Sequence, residues 1–371
     1  PVIFCPVLFL HICHMRKWFI ITVLTALASV FVSFNQREEK IGVAKLRKLY
    51  SQSPDKWPVP TIDAGIEWKE LGLLPESPVE KQKDSLKHVI ELGKALFFDT
   101  RLSGSGKISC ATCHQPELNW TDGKVKSIGH EGAVTKRNSP TIQNTWFYNR
   151  LFWDGRSRDL QDQAFGPINS ETEMHSEMPE VMRKLRKVNG YKEMFKKAFG
   201  DDEIDPFIMT EAIATFEKTI SSGKTKFDEF IAGNKKALSN SEIRGLHLFR
   251  TKARCMNCHN GPLFSDNQFH NSGFSTGDEG YYKVTHKDED MGKFKTPSLR
   301  DVARTGPWMH DGQFSSLQQI ISRYSIAKFP PGTDPLLRNT GLTTKEQKDL
   351  LAFLKAISAP PVGFSKPVLP Q

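Results

Sequence analysis

Cys110-Ala-Thr-Cys113-His114 decides the reading of this chain, because the same pattern returns as Cys255-Met-Asn-Cys258-His259. Two cysteines three apart, followed at once by histidine, form the attachment signature of c-type haem. In one helical turn, residues three apart lie on one face, where they can form two thioethers to the haem vinyls. The next side chain, His114 or His259, then sits under the iron as proximal ligand. Two other readings stay open at this level: a zinc site drawn from the four cysteines, and a redox-active Cys-x-x-Cys pair. Neither explains why a histidine follows each pair.

The 371 residues suffice for two domains of ordinary size, each with its own core. Aromatics at 10% and hydrophobics at 38% exclude a disordered or a membrane composition. The net charge is +9, but Lys and Arg are scattered and form no long run, so nucleic acid is not indicated as a partner. Residues 1–36 read as a targeting segment. Met15-Arg16-Lys17 precedes an apolar run from Trp18 to Phe34, the charged start and hydrophobic core of an export signal. Ala26-Leu-Ala28 offers a weak cleavage site, so an uncleaved membrane anchor is the competing reading. Residues 1–14 read as lying upstream of a start at Met15. Cys5 and Cys13 then drop out, leaving four cysteines, all in the haem motifs, and no disulfide. Haem attachment to c-type cytochromes follows export, so the two signals agree on the periplasm.

Residues 37–85 read as a linker or surface arm, charged at first and then punctuated by Pro54, Pro58 and Pro60. From Leu86 the pattern turns helical, with Val89, Ile90, Gly93, Leu96 and Phe97 on one face. Residues 179–199 and 207–220 read as amphipathic helices. The boundary falls between residues 225 and 240, dividing a first domain, 86–225, from a second, 226–371. Ser239-x-x-Glu242 caps a helix through Phe249 that delivers the second motif. Thr343-x-x-Glu346 caps a last helix, with Leu350, Leu351, Leu354 and Ile357 in one stripe and Pro360-Pro361 as its stop. Helices and loops with no run of strands make the fold class mainly α.

An internal repeat runs through both halves. Gly93-x-x-Leu-Phe97 precedes the first motif, and Gly245-Leu-x-Leu-Phe249 the second. Downstream, Ser139-Pro140-Thr141 leads to Trp153-Asp154-Gly155 and Leu160. In the second half Thr296-Pro297-Ser298 leads to His310-Asp311-Gly312 and Leu317. Tyr324 stands thirteen residues beyond Asp311, where the first half has Pro167 beyond Asp154. Proline has no donor atom for iron. One half therefore offers a distal ligand there and the other leaves the place open, the asymmetry that a reactive site plus an electron relay requires.

These motifs resemble those of the bacterial di-haem cytochrome c peroxidase family, which includes MauG-like members. The resemblance runs from about Leu92 to Ile357. It rests on Leu92-Gly-Lys-Ala-Leu-Phe-Phe-Asp-Thr-Arg-Leu-Ser103, Arg137-Asn-Ser-Pro-Thr141, Phe152-Trp-Asp-Gly-Arg156 and the two haem motifs, in that order. It implies two cytochrome c-like domains, each with one covalently bound haem c. The N-terminal haem would react with hydrogen peroxide and the C-terminal one would transfer electrons from a small cytochrome c or copper protein. A homodimer is left open.

By the same resemblance, His130 matches a gating histidine that caps the peroxidatic iron in the resting enzyme, although MauG-like members lack it. Its other reading is an ordinary loop histidine. Glu173 and Gln163 match the distal residues that handle peroxide, a carboxylate for proton transfer and an amide for hydrogen bonding. Trp153 matches the aromatic between the haems. Tyr324 departs from the methionine of the peroxidases proper and agrees with MauG-like members. A phenolate favours ferric and higher iron, where a thioether favours ferrous. Met309 matches an aromatic core position. Asn138, with the carbonyls of Thr305 and Pro307, matches a calcium site between the domains. His310 reads as structural or near a propionate. His88, His175, His247, His270 and His286 match nothing. A MauG-like oxidase of a protein side chain and a di-haem electron carrier without catalysis are the alternatives to a peroxidase.

Overall fold

Leu92 and Leu96, both fully buried, lie on a helix whose Gly93 faces another helix at backbone distance. A Cβ on Gly93 would meet the Ala212 carbonyl oxygen at 1.8 Å. The second half repeats the device, where a Cβ on Gly245 would meet the Asp349 oxygen at 2.0 Å. Glycine is needed at these two places because the helices cross in contact.

The computed structural model describes residues 41–274, 277–326 and 328–371. The expected export segment, residues 1–36, lies outside them. Leu46–Gln371 form one compact unit, and the described residues before it, 41–45, include the first residues of the opening helix. The α-helices are α1 (Val43–Tyr50), α2 (Lys87–Phe98), α3 (Cys110–Cys113), α4 (Leu160–Asn169), α5 (Met178–Leu185) and α6 (Asn189–Phe199). They continue with α7 (Pro206–Glu217), α8 (Lys226–Ile231), α9 (Asn240–Arg250), α10 (Tyr282–Thr285), α11 (Leu317–Ile326) and α12 (Thr344–Ala356). The described strands are β1 (Phe269–His270) and β2 (Phe294–Lys295), antiparallel, with Phe269 opposite Lys295. The fold is mainly helical, as the sequence implies.

In the first half α2 packs on α6 and α7, and α4 on α7, burying Leu92, Phe97, Leu185, Phe195, Met209 and Phe216. In the second half α12 lies across α9 and touches α11. There Phe227, Phe249, Phe264 and Phe353 form an edge-on aromatic cluster with ring centroids 5.4–6.4 Å apart. Each such side chain contributes roughly 1.5–3 kcal/mol by burial. The capping boxes at Ser239 and Thr343 start α9 and α12 as expected. Residues 179–199 are not one helix. The chain leaves α5 at Arg186, and Val188 turns extended (φ −102°, ψ 106°) before α6, so a continuous apolar pattern hides a break.

The repeat is a near two-fold relation. Residues related as Pro140 is to Pro297, 157 apart, share conformation. Asn144 and Asp301, Phe152 and Met309, and Gly155 and Gly312 all have positive φ, between 60° and 72°. α4 and α11 begin and end at equivalent residues. Two reciprocal hydrogen bonds join the halves: Asn138 N–H donates to the His310 carbonyl (2.8 Å), and Lys295 N–H to that of Trp153 (2.9 Å).

The chain ends are crossed over. Residues 46–72 are fastened to the second half, with Thr61 N–H on the Arg250 carbonyl (2.8 Å), Asp63 N–H on Asn257 Oδ1 (2.9 Å) and buried Arg250 paired with Glu70. Residues 360–371 return to the first half. Phe364 stacks on Phe98 (5.4 Å, 15°), Arg101 donates to the Pro370 carbonyl (2.9 Å), and Gly190 N–H to that of Gln371 (3.0 Å).

Candidate active site

α3 ends at Cys113, and His114 follows with its ring anchored from below. Its Nδ1 lies 3.1 Å from the Trp120 carbonyl oxygen. A carbonyl cannot donate, so Nδ1 carries the proton and Nε2 keeps its lone pair for a metal. His259 repeats this with Nδ1 2.9 Å from the Phe264 carbonyl. Burial holds both imidazoles below the usual histidine range, so both stay neutral. That is the state a proximal ligand needs.

Cys110, Cys113 and His114 open into one cavity of about 900 Å³ that Cys255, Cys258 and His259 share. Among the described residues no cluster joins cysteines of both motifs. The one group of three or more donor atoms lying within 4.8 Å of one another is Cys258, Asp266 and His270. A four-cysteine zinc site is thereby excluded, and all four thiols are free of disulfides.

The cavity receives most of the residues singled out from the sequence. Trp153, Gln163, Pro167, Glu173 and Tyr324 line it, as do Asn138, Thr305 and Pro307. Trp153 Nε1–H donates to the Asn138 carbonyl (2.9 Å), which fixes the indole at the junction of the halves. Gln163 and Pro167 stand on α4, Tyr324 on the equivalent α11. Burial raises the Glu173 carboxyl above the usual range, against a smaller opposing pull from Arg156. Burial likewise raises the Tyr324 phenol. Asn138 Nδ2 donates to the Lys124 carbonyl (2.8 Å), which leaves its Oδ1 as the free acceptor.

Two placements differ from expectation. His130 is not among the cavity-lining residues; its ring packs on His175 instead. Met309 is no core residue but half-buried and cavity-lining, in the left-handed backbone of its counterpart Phe152. His310, read as structural or near a propionate, stacks on Phe294 at 3.7 Å and lines the cavity.

Three charged features escape sequence reasoning. Lys295 is 8% exposed, its Nζ stands 3.3 Å over the Tyr148 ring, and no carboxylate pairs with it among the described residues. Burial drives its ammonium down to about 7. Glu217, at the end of α7, is buried beside Cys110 with Oε2 unpartnered, and burial pushes it up to about 8. His270 is held at Nε2 by Asp266 (2.9 Å) and at Nδ1 by Asp334 (2.5 Å). Burial opposes its charge, yet the two carboxylates lift it to about 12, so it is an imidazolium.

These residues fit two covalently bound haems. Each motif supplies a thiol pair and a neutral histidine aimed into the cavity, and Lys295 is an orphaned buried cation there of the sign a propionate carboxylate satisfies.

Comparison with known proteins agrees. Residues 87–236 match the family model described as di-haem cytochrome c peroxidase. The methylamine utilization protein MauG of Methylorubrum extorquens is 38% identical over 302 residues, 80% of this chain and 86% of that protein. The cytochrome-c peroxidase IdrP1 of Denitromonas iodatirespirans is 37% identical over 336 residues, covering 81% and 89%. Among solved structures, a MauG-like protein associated with microbial copper homeostasis superposes with a TM-score of 0.69 at 30% identity, covering 78% of this chain and 95% of that one.

Proposed function

The chain belongs to the di-haem cytochrome c peroxidase family of oxidoreductases, and from that premise we propose that it reduces hydrogen peroxide to water on the His114 side. Two electrons and two protons convert one peroxide to two waters. The electrons come from a small cytochrome c or copper protein and enter on the His259 side. The haems supply the redox chemistry and the iron that peroxide meets. The protein supplies the rest. Half-buried Glu173 takes a proton from one peroxide oxygen and returns it to the leaving one, Gln163 hydrogen-bonds the oxygens, and Trp153 carries charge between the halves. The observation that carries this reading is Glu173, a half-buried carboxyl that lines the same cavity as both motifs and whose proton affinity desolvation raises.

His130 would gate the first haem on the His114 side, and the Tyr324 oxygen would hold the second on the His259 side. The Asn138 side chain and the carbonyls of Thr305 and Pro307 hold one calcium between the halves. Residues 86–225 act as the peroxidatic domain and 226–371 as the electron-transfer domain. The protein works in the periplasm, delivered by residues 1–36. Among the described residues no helix is long and apolar enough to cross a membrane.

A second reading is favoured by Tyr324: a MauG-like oxidase that uses peroxide on a protein side chain. One experiment separates the two. Peroxide is added to the haem-loaded protein as purified and after one-electron reduction, with spectra recorded. Reaction only after reduction supports the gated peroxidase. Immediate reaction of the ferric protein with storage of two oxidising equivalents supports the oxidase.

A further inference from the structure

The loop that carries His130 is clasped to the segment that carries Glu173. His130 N–H donates to the Glu173 carbonyl (2.8 Å), and a Cβ on Gly129 would meet the Thr172 oxygen at 2.1 Å. At the end of that segment His175 adopts φ 46°, a left-handed conformation that costs a side-chain-bearing residue energy and that glycine takes freely. The histidine ring kept at this cost lies against His130, with centroids 4.5 Å apart and planes inclined by 30°. His175 is exposed, whereas the His130 side chain is 17% exposed and its Nδ1 is buried without a partner. The exposed imidazole of His175 therefore covers part of the less exposed His130 ring.

We propose that His175 is a positioning residue that parks the gating histidine, holding His130 off the His114 side and setting how much of the resting enzyme is open to peroxide. This rests on the reading of His130 as a gate. A contact that is lost when His130 turns toward the His114 side biases the equilibrium toward the open form by its whole worth. An aromatic pair of this kind is worth about a two- to tenfold change in that ratio.

The test uses the haem-loaded, resting ferric protein, with the high-spin to low-spin ratio of the His114 haem read by electron paramagnetic resonance and optical spectra. His175→Gly removes the ring and relaxes the backbone. His175→Asn removes the ring and keeps a side chain tolerant of positive φ. Both should lower the high-spin ratio by about two- to tenfold, slow the reaction with peroxide after one-electron reduction to match, and leave the His259 haem signal unchanged. An unchanged ratio in both variants overturns the proposal, as does a change in the glycine variant alone, which would assign the effect to the backbone. Adding His130→Ala to His175→Gly should restore the high-spin form. If low-spin signal persists in that double variant, His130 is not the ligand, and the gate reading fails together with its latch.

Discussion

The two haem halves share a frame and differ at a few side chains that decide their chemistry. Trp153 and His310 occupy equivalent places, as do Asn138 and Lys295, and reciprocal hydrogen bonds cross the junction from Asn138 N–H to His310 and from Lys295 N–H to Trp153. Pro167 and Tyr324 stand at one position on matching helices α4 and α11. The carbonyl that seats the proximal histidine recurs in both. Backbone and proximal side are thus held constant, while distal and junction positions carry the specialisation. Division of labour between two haems needs few substitutions once the scaffold is doubled.

Glu173→Gln should break the comparison most. Peroxide turnover is expected to fall about 10²–10⁴-fold, read by stopped-flow. The wild-type rate should decline as pH falls through the raised Glu173 carboxyl, because the proton-accepting carboxylate is lost there. The variant should lack that limb, and full activity in it would move acid–base work elsewhere. Tyr324→Met should raise the potential of the His259 haem, because thioether favours ferrous iron where phenolate favours ferric. Spectroelectrochemical titration of both haems reads this, and an unmoved potential would remove Tyr324 from the iron. Lys295→Met should lower a haem potential, since a buried cation favours the less positive ferrous state. At an effective dielectric near 20 the change is on the order of 1–2 kcal/mol. Phe364→Ala should leave the chemistry least changed, lowering stability by roughly 1–3 kcal/mol, below the 3–5 of a fully buried phenylalanine. Differential scanning calorimetry measures it, and the His114 haem should be disturbed before the His259 haem.

Much of this was legible in the sequence because it is local or periodic. The haem pentads, the capping boxes at Ser239 and Thr343, and the fixed spacing from Pro140 to Asp154 and Pro297 to Asp311 all lie within short windows. The spacing between halves also pointed to Tyr324 and Pro167, which do line the cavity. The missing features are tertiary. Asp334 pairs with His270 across 64 residues of chain, and nothing near either announces it. Lys295 and Glu217 look like ordinary charged residues until burial strips them of water. The break at Arg186–Val188 was hidden because both helices bury the same kind of face. One clue was available for Lys295: the repeat aligns it with Asn138, a polar position already singled out.

The crossed chain ends impose an order on maturation. Residues 46–72 are made before the second half they fasten, so that half can close as soon as its own helices emerge. The first half receives Phe364 and Pro370 only after both haem motifs have been synthesised, and Arg101 must wait for a carbonyl 269 residues downstream. Contacts that distant form slowly. The first half thus stays unsealed until residues 360–371 arrive, with Cys110 and Cys113 already made.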